Sequence, residues 1–446
     1  MDLISASILK RDERVIGAAF KTRFYPIVVE RAAGVNVIDV DGREYLDFNA
    51  GWAVANTGYG HPRIQQAIKD QLEKTSFVST TTFLNETVVK LGEKLVSITP
   101  GDFEKKVWFG LSGSDANDLL FKILPKANGR PKILSFLGGY YGETMGAVSL
   151  SGHKAHTRFP CLSNVVKIPY AYCYRCPFSL TYPGCGIYCA GDFIEDYVFN
   201  TMADPQDVAG LIVEPIQSVG GDIVPPPSYL ERLKKVADEH GILFAVDEVK
   251  VGFGRTGRMF AVENSAVSPD VVVLGKPIGS GMPLSACVCR GKILDVPGAH
   301  LLTAAGHPVS CAAALATIEV IETEKLCENA SKVGDFMKER LLEIAEHHPM
   351  VGDVRGTGLI LGIELVKDKE TRKPAAKETA KLCYQSWKNG LLTACVGLAS
   401  NVLEITPPLI LTLDQAETGI RILEKSLSQV EAGKVQDGDV ALFRGH

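Results

Sequence analysis

Two residues in this sequence stand where chemistry collects. The short β-branched apolar runs at 242–246 and 271–274 each end in polar residues, the first in Asp247 and the second in Gly275 and Lys276. Such runs read as buried parallel strands. In an open parallel sheet, ligands bind in the crevice beyond the carboxyl ends of the strands, so this carboxylate and this amine share one crevice. Desolvation there favours the neutral, nucleophilic amine, which makes Lys276 a candidate to condense with a carbonyl as a Schiff base. Pyridoxal phosphate is the cofactor this pair suits, with Lys276 on its aldehyde and Asp247 on the ring nitrogen whose proton makes the ring an electron sink. Taken alone, two strand-end charges are more often merely solvated. The text around them carries the decision.

That text is DEVKVGFGRTGR and LGKPIGSGMPLSA. It resembles the signatures of the class III aminotransferases, fold type I enzymes that use pyridoxal phosphate, and the resemblance covers about residues 20 to 430. It implies an α/β fold with a large, mostly parallel α/β sheet domain and a smaller α+β domain built from both termini. The expected boundaries are 1–75 and 331–446 for the two parts of the small domain and 76–330 for the large, cofactor-binding one.

Composition agrees with a small-molecule enzyme. The 446 residues carry a formal charge of −5 without a polybasic run, so neither nucleic acid nor an anionic membrane is expected as a partner. The opening MDLISASILKRDERV has no apolar signal core, and no apolar stretch reaches the ~20 residues that span a bilayer. A cytoplasmic location is expected. Of the eleven cysteines, Cys173, Cys176, Cys185 and Cys189 fall within CYRCPFSLTYPGCGIYC. A C-x2-C followed by a C-x3-C approaches a structural zinc spacing. The intervening loop of eight residues is shorter than zinc ribbons use, and the family resemblance includes cysteine-rich inserts, so packed free thiols and no metal are expected.

In chain order, a helix is expected over 5–20, then an antiparallel meander over 27–39 that lies outside the main sheet. In NAGWAVANTGYGHP, glycines on both sides let the Trp52 ring face a ligand, and the resemblance puts this turn at the substrate pocket. Pro62 opens a helix whose apolar positions are Ile64, Ala67, Ile68 and Leu72. Ser112, Gly113 and Ser114 fall between a strand at 107–109 and a helix starting near Asp115, where backbone amides make a ready anion site. Pro125 is expected to kink or end that helix. The resemblance makes the 112–114 turn the phosphate site and Tyr140 the aromatic stacked on the cofactor ring; the family pattern GGYHG differs here at Tyr141. It also assigns Glu214, Val249 and Lys250 to the cofactor site. Thr303 corresponds to the threonine that reaches the phosphate of the neighbouring subunit, which implies a homodimer, or an oligomer of dimers, with shared active sites.

Three positions bear on the reaction. Glu404 stands where the family commonly has arginine, and a carboxylate cannot replace a guanidinium fork on a substrate carboxylate. Amines, amides, lactams and ω-amino groups become candidate donors, unless Glu404 points to solvent and another cation does the clamping. Lys250 replaces the glutamine of DEVQ; together with Glu404 and Trp52 it resembles the α-amino-ε-caprolactam racemase branch of the family. Val219 points the other way, because the family's racemases resemble one another in an aspartate here, a second acid or base opposite the lysine. Inverting a carbon needs proton delivery on both faces, and valine delivers none. Asp222 could serve only in a rearranged turn. Amino-group transfer from an amine or amino-acid-like donor to a keto acid is the expected function, with racemisation of an amino lactam or amino acid amide as the alternative.

Overall fold

In the computed structural model of the chain, residues 3–22 and 24–441 are described. They fall into two compact units, one of residues 62–327 and one of the described residues before 62 and after 327.

The 62–327 unit is built on a seven-stranded sheet. In spatial order its strands are Lys105–Gly110, Ser285–Arg290, Val271–Leu274, Leu243–Asp247, Val208–Val213, Lys132–Phe136 and Val165–Ile168. Only Ser285–Arg290 runs against its neighbours. The central strands are apolar along their length because both faces are covered: Val208–Val213 and Val271–Leu274 are buried throughout. Pairing of Val246 with Val272 and of Asp247 with Val273 brings Asp247 and the start of the Lys276 turn to one end of the sheet.

Helix Gly113–Asn128 lies on this sheet, with Leu119, Leu120, Ile123 and Leu124 packed among Ile133, Ile212, Val271 and Val273. Truncating one of these leucines to alanine costs about 2–5 kcal/mol at such sites. The helix does not end at Pro125; it continues to Asn128 and stops at Gly129, whose φ is +75. Pro125 occupies the last turn, where only one internal hydrogen bond depends on the missing N–H. Helix Tyr229–Glu239 buries Leu230, Leu233, Val236 and Ala237, the stripe its sequence spacing sets out. In helix Pro62–Lys74 the expected stripe is only partly covered: Ile64 is buried and Leu72 is half exposed.

The other unit holds two four-stranded sheets. The meander Val29–Ala33, Asn36–Asp39 and Glu44–Asp47 takes Leu391–Leu392 as a parallel fourth strand, so the two ends of the chain share one sheet. Val351–Thr357, Ile360–Leu365, Val402–Ile405 and Ala394–Val396 form the second. The first helix, Leu3–Val15, stops short of the expected residue 20 because Gly17 is extended at ψ 145; a 3₁₀ turn at Ala18–Phe20 follows. Among the described residues no helix is long and apolar enough to cross a membrane.

Candidate active site

Five strand ends of the 62–327 unit converge on a cavity of about 230 Å³. Ser112, Gly113 and Ser114 follow the first strand in the chain, Tyr140 follows the second, Glu214 and Val219 follow Val208–Val213, Asp247, Val249 and Lys250 close Leu243–Asp247, and Lys276 follows Val271–Leu274; all ten line the cavity. Asn117 and Ser218, which no sequence motif marks, line it too, as does Tyr141, the position that departs from the family pattern. Two larger clefts of the same unit, of about 370 and 360 Å³, lie elsewhere; the first is walled by Arg63, Lys74 and Glu319 and gathers none of these groups.

Asp247 is held by two hydrogen bonds, one to each carboxylate oxygen. Its Oδ1 accepts from Val249 N at 2.8 Å, its Oδ2 accepts from Asn117 Nδ2 at 2.7 Å, and the same amide donates to Tyr141 O at 2.8 Å. Glu214 accepts from Tyr140 N at 2.9 Å and from Ser218 N at 3.2 Å. Burial pushes the Asp247 carboxyl up to about 6, against the pull of its hydrogen bonds and of Lys276. Burial and the neighbouring Asp247 push Glu214 up to about 7, with Lys276 again opposing. Glu248, next in sequence, faces away from the cavity: it accepts from Ala261 N and Val262 N, and burial raises it to about 8. Lys276 lies close enough to both acids to oppose their rise. It occupies the left-handed region at φ +38, a conformation that costs a non-glycine residue about 1 kcal/mol and recurs at functional sites.

The helix expected to start near Asp115 starts two residues earlier, at Gly113, so the 112–114 turn forms its first turn. Ser112 is the N-cap; its Oγ accepts from Asp115 N at 3.3 Å and Asp115 Oδ2 accepts from Ser112 N at 3.0 Å. Gly113 and Ser114 contribute first-turn amides, which a helix cannot bond internally. Glycine is required at 113, since a Cβ there would fall 2.7 Å from Val249 Cγ1.

Val219 is 5 % exposed and stands on a tight turn with Ser218, closed by Gln217 N donating to Ile223 O at 3.1 Å. Asp222 is buried at φ +50 in that turn, and only Ser218 and Val219 of it line the cavity. Thr303 lies in another part of the unit, where its carbonyl accepts from Ser79 Oγ at 3.4 Å. Trp52 and Glu404 belong to the other unit. Trp52 takes φ +66 and packs against Phe24 with centroids 5.6 Å apart. Glu404 is buried in Val402–Ile405 and does not point to solvent. Cys173, Cys176, Cys185 and Cys189 surround one small apolar cavity of the insert, with Phe178 and Tyr188; all four are unbridged. Among the described residues no three His, Cys, Asp or Glu side chains come together as a metal site.

The donor set fits pyridoxal phosphate. A helix N-terminus with a glycine cradle suits its phosphate, a buried carboxylate suits a protonated ring nitrogen, the Tyr140 ring offers a face, and the Lys276 amine shares its lining with apolar Val249 and Val251.

Comparisons with known proteins agree. Residues 18–427 match the family model for aminotransferase class-III. The chain is 40 % identical to an alanine/serine racemase of Pyrococcus horikoshii, over 96 % of this chain and 91 % of the relative. It is 42 % identical to a leucine/methionine racemase of Thermococcus litoralis (98 % and 99 %), and 36 % identical to a 5-aminovalerate aminotransferase of Pseudomonas aeruginosa (96 % and 100 %). Among solved structures, an amine transaminase from an uncultivated Pseudomonas species in its PLP-bound form superposes with a TM-score of 0.86 at 31 % identity, covering 93 % of this chain and 98 % of that one. The chain is therefore an enzyme of the class III aminotransferase family, with the fold type I architecture and pyridoxal phosphate as its cofactor.

Proposed function

We propose that the enzyme moves an amino group from an amine or amino-acid-like donor to a keto acid, with Lys276 holding the cofactor's aldehyde and Asp247 its ring nitrogen. When bound, the cofactor supplies an aldehyde that joins amines and a ring that spreads the charge released at the neighbouring carbon. Gly113 and Ser114 offer amides to its phosphate, and Tyr140 covers a ring face. Asp247 keeps a proton on the ring nitrogen. Lys276 Nζ would carry the proton to and from the substrate's Cα.

The observation that carries transfer over inversion is Val219, a buried apolar residue lining the cavity. It keeps water out and delivers no proton, so chemistry at Cα is left to the lysine face. Racemisation is the second reading, supported by the names of the two archaeal relatives. The two separate in one experiment. A single enantiomer of an amino donor is incubated with and without a keto acid and followed by chiral chromatography. Transfer predicts loss of donor only when the keto acid is present, without the opposite enantiomer forming; formation of that enantiomer in the absence of keto acid overturns it in favour of racemisation.

A second copy of the chain is part of this reading. Phe83, Leu84 and Leu301 of the 62–327 unit are 63 %, 96 % and 69 % exposed, apolar side chains that a second copy would cover. The resemblance gives Thr303, two residues from Leu301, a role in the neighbouring subunit's phosphate site. Sedimentation that finds a monomer at micromolar concentration rejects the shared site. All eleven cysteines are unbridged, which supports the cytoplasm as the compartment.

A further inference from the structure

Behind Tyr140 lies a layer of polar groups that the reading above leaves unused. Tyr140 Oη donates to Glu143 Oε1 at 2.9 Å, and the same oxygen meets His156 Nε2 at 2.8 Å. The imidazole lies against the Tyr140 ring, with centroids 5.2 Å apart and planes at 33°. His156 is 2 % exposed and its Nδ1 is buried without a hydrogen-bond partner. The Nε2–H tautomer suits both facts, since its N–H donates to the carboxylate and Nδ1 is left with no proton to place. Glu143 is also tied to the anion turn. Its N–H donates to Ser114 Oγ at 3.1 Å, Thr144 Oγ1 donates to Ser114 O at 3.1 Å, and a Cβ at Gly142 would fall 2.4 Å from Ser114 Oγ. One residue therefore links the amides offered to the phosphate with the ring offered to the cofactor's face.

We propose that Glu143 and His156 are positioning residues that fix the Tyr140 ring against the cofactor, His156 as the ring behind it and Glu143 as the anchor of its phenol. The inference rests on Tyr140 belonging to the cofactor site. A ring already held in place loses no further freedom when a ligand stacks on it, so the pair acts on cofactor affinity through Tyr140.

The test is the dissociation constant of pyridoxal phosphate, followed by the visible absorbance of the bound cofactor, in a mutant cycle. Glu143→Ala and His156→Ala should each raise it roughly three- to ten-fold and shift the absorbance maximum, the scale of one aromatic pair or one hydrogen bond. His156→Phe should restore the stacking share of the loss. In a Tyr140→Ala background neither substitution should add anything, because groups that act through one partner are not additive. Additive losses in that background overturn the inference. If Tyr140→Ala alone leaves the constant unchanged, the placement of Tyr140 at the cofactor fails, and the inference fails with it. Glu143, with its side chain 58 % exposed, keeps the cycle measurable should His156→Ala not fold.

Discussion

The strand-end cavity and the cysteine insert are two places where closely spaced chemical residues meet, and they are built on opposite terms. Around the cavity every acid is gripped from other elements: Asp247 by Asn117 across 130 positions of sequence, Glu214 by Tyr140 across 74. In the insert, four thiols stand on a single loop among Phe178, Tyr188 and Leu180. Burial and the neighbouring thiols push Cys189 up to about 12, so it stays protonated and behaves as a small apolar group. Spacing alone makes both places look reactive. What separates them is whether distant elements orient the groups or merely cover them.

Removing the amine breaks that contrast most completely. Lys276→Ala should lower turnover by at least about 10²–10⁴-fold, the range of a lost acid or base, while the cofactor stays weakly bound. A variant keeping a tenth of wild-type turnover would move the chemistry to another residue. Asp247→Asn should follow, with a loss on the order of 10²–10³-fold in kcat, as for a preorganised polar partner. The same substitution has a pH signature. Asp247 is protonated below about 6, so the affinity of the cofactor-free enzyme for pyridoxal phosphate should rise as pH goes from 5 to 7, and Asp247→Asn should flatten the rise. An unchanged slope in the variant would remove Asp247 from the ring nitrogen.

Stability of the cofactor-free enzyme should run the other way. Asp247, Glu214 and Glu248 are raised from 3.8, 4.5 and 4.5 to about 6, 7 and 8. The folded state then holds more protons than the unfolded chain, and stability contributed by these groups is lost as pH climbs through that window. A melting temperature that falls between pH 5 and 8 checks the sign, provided an Asp247→Asn, Glu214→Gln variant shows a shallower fall. Val219→Asp should create or raise racemisation of an amino lactam or amide by about 10²-fold, at a stability cost of about 1–3 kcal/mol if the new carboxyl finds no partner. A wild type that already racemises as fast as the variant would remove Val219 as the deciding residue. Smallest of all should be the insert: replacing Cys173, Cys176, Cys185 and Cys189 by serine should leave kcat unchanged within about two-fold. Zinc in the purified protein should stay below about half an ion per chain; a stoichiometric metal would make the insert an oriented site like the cavity.

The sequence made the ends of things readable. Asp247 and Lys276 close continuous apolar runs, and Ser112 to Ser114 interrupt a strand-to-helix passage, so local text marks them. Asn117 gives no such sign: it sits inside a helix, and only the strand order turns its amide onto Asp247. Ser218 is likewise defined by what it reaches, Glu214; the sequence shows Tyr141 as a departure from the family pattern, but not that its hydroxyl reaches the carbonyl of Ile212. Pro125 does not end its helix, because a proline's effect depends on how many turns follow it and Gly129 closes the helix within a turn. Leu72 fits a helical stripe by spacing, yet spacing carries no knowledge of where covering surface ends.

The backbone at Lys276 has one more consequence. At φ +38 it is a position where glycine would rest more easily than lysine. Lys276→Gly should therefore melt no lower, and by the conformational relief as much as about 1 kcal/mol higher, than Lys276→Ala. Any search for hardier versions of this protein that scores heat resistance alone will drift toward dead enzymes at residue 276, and must be gated by turnover to keep the amine in place.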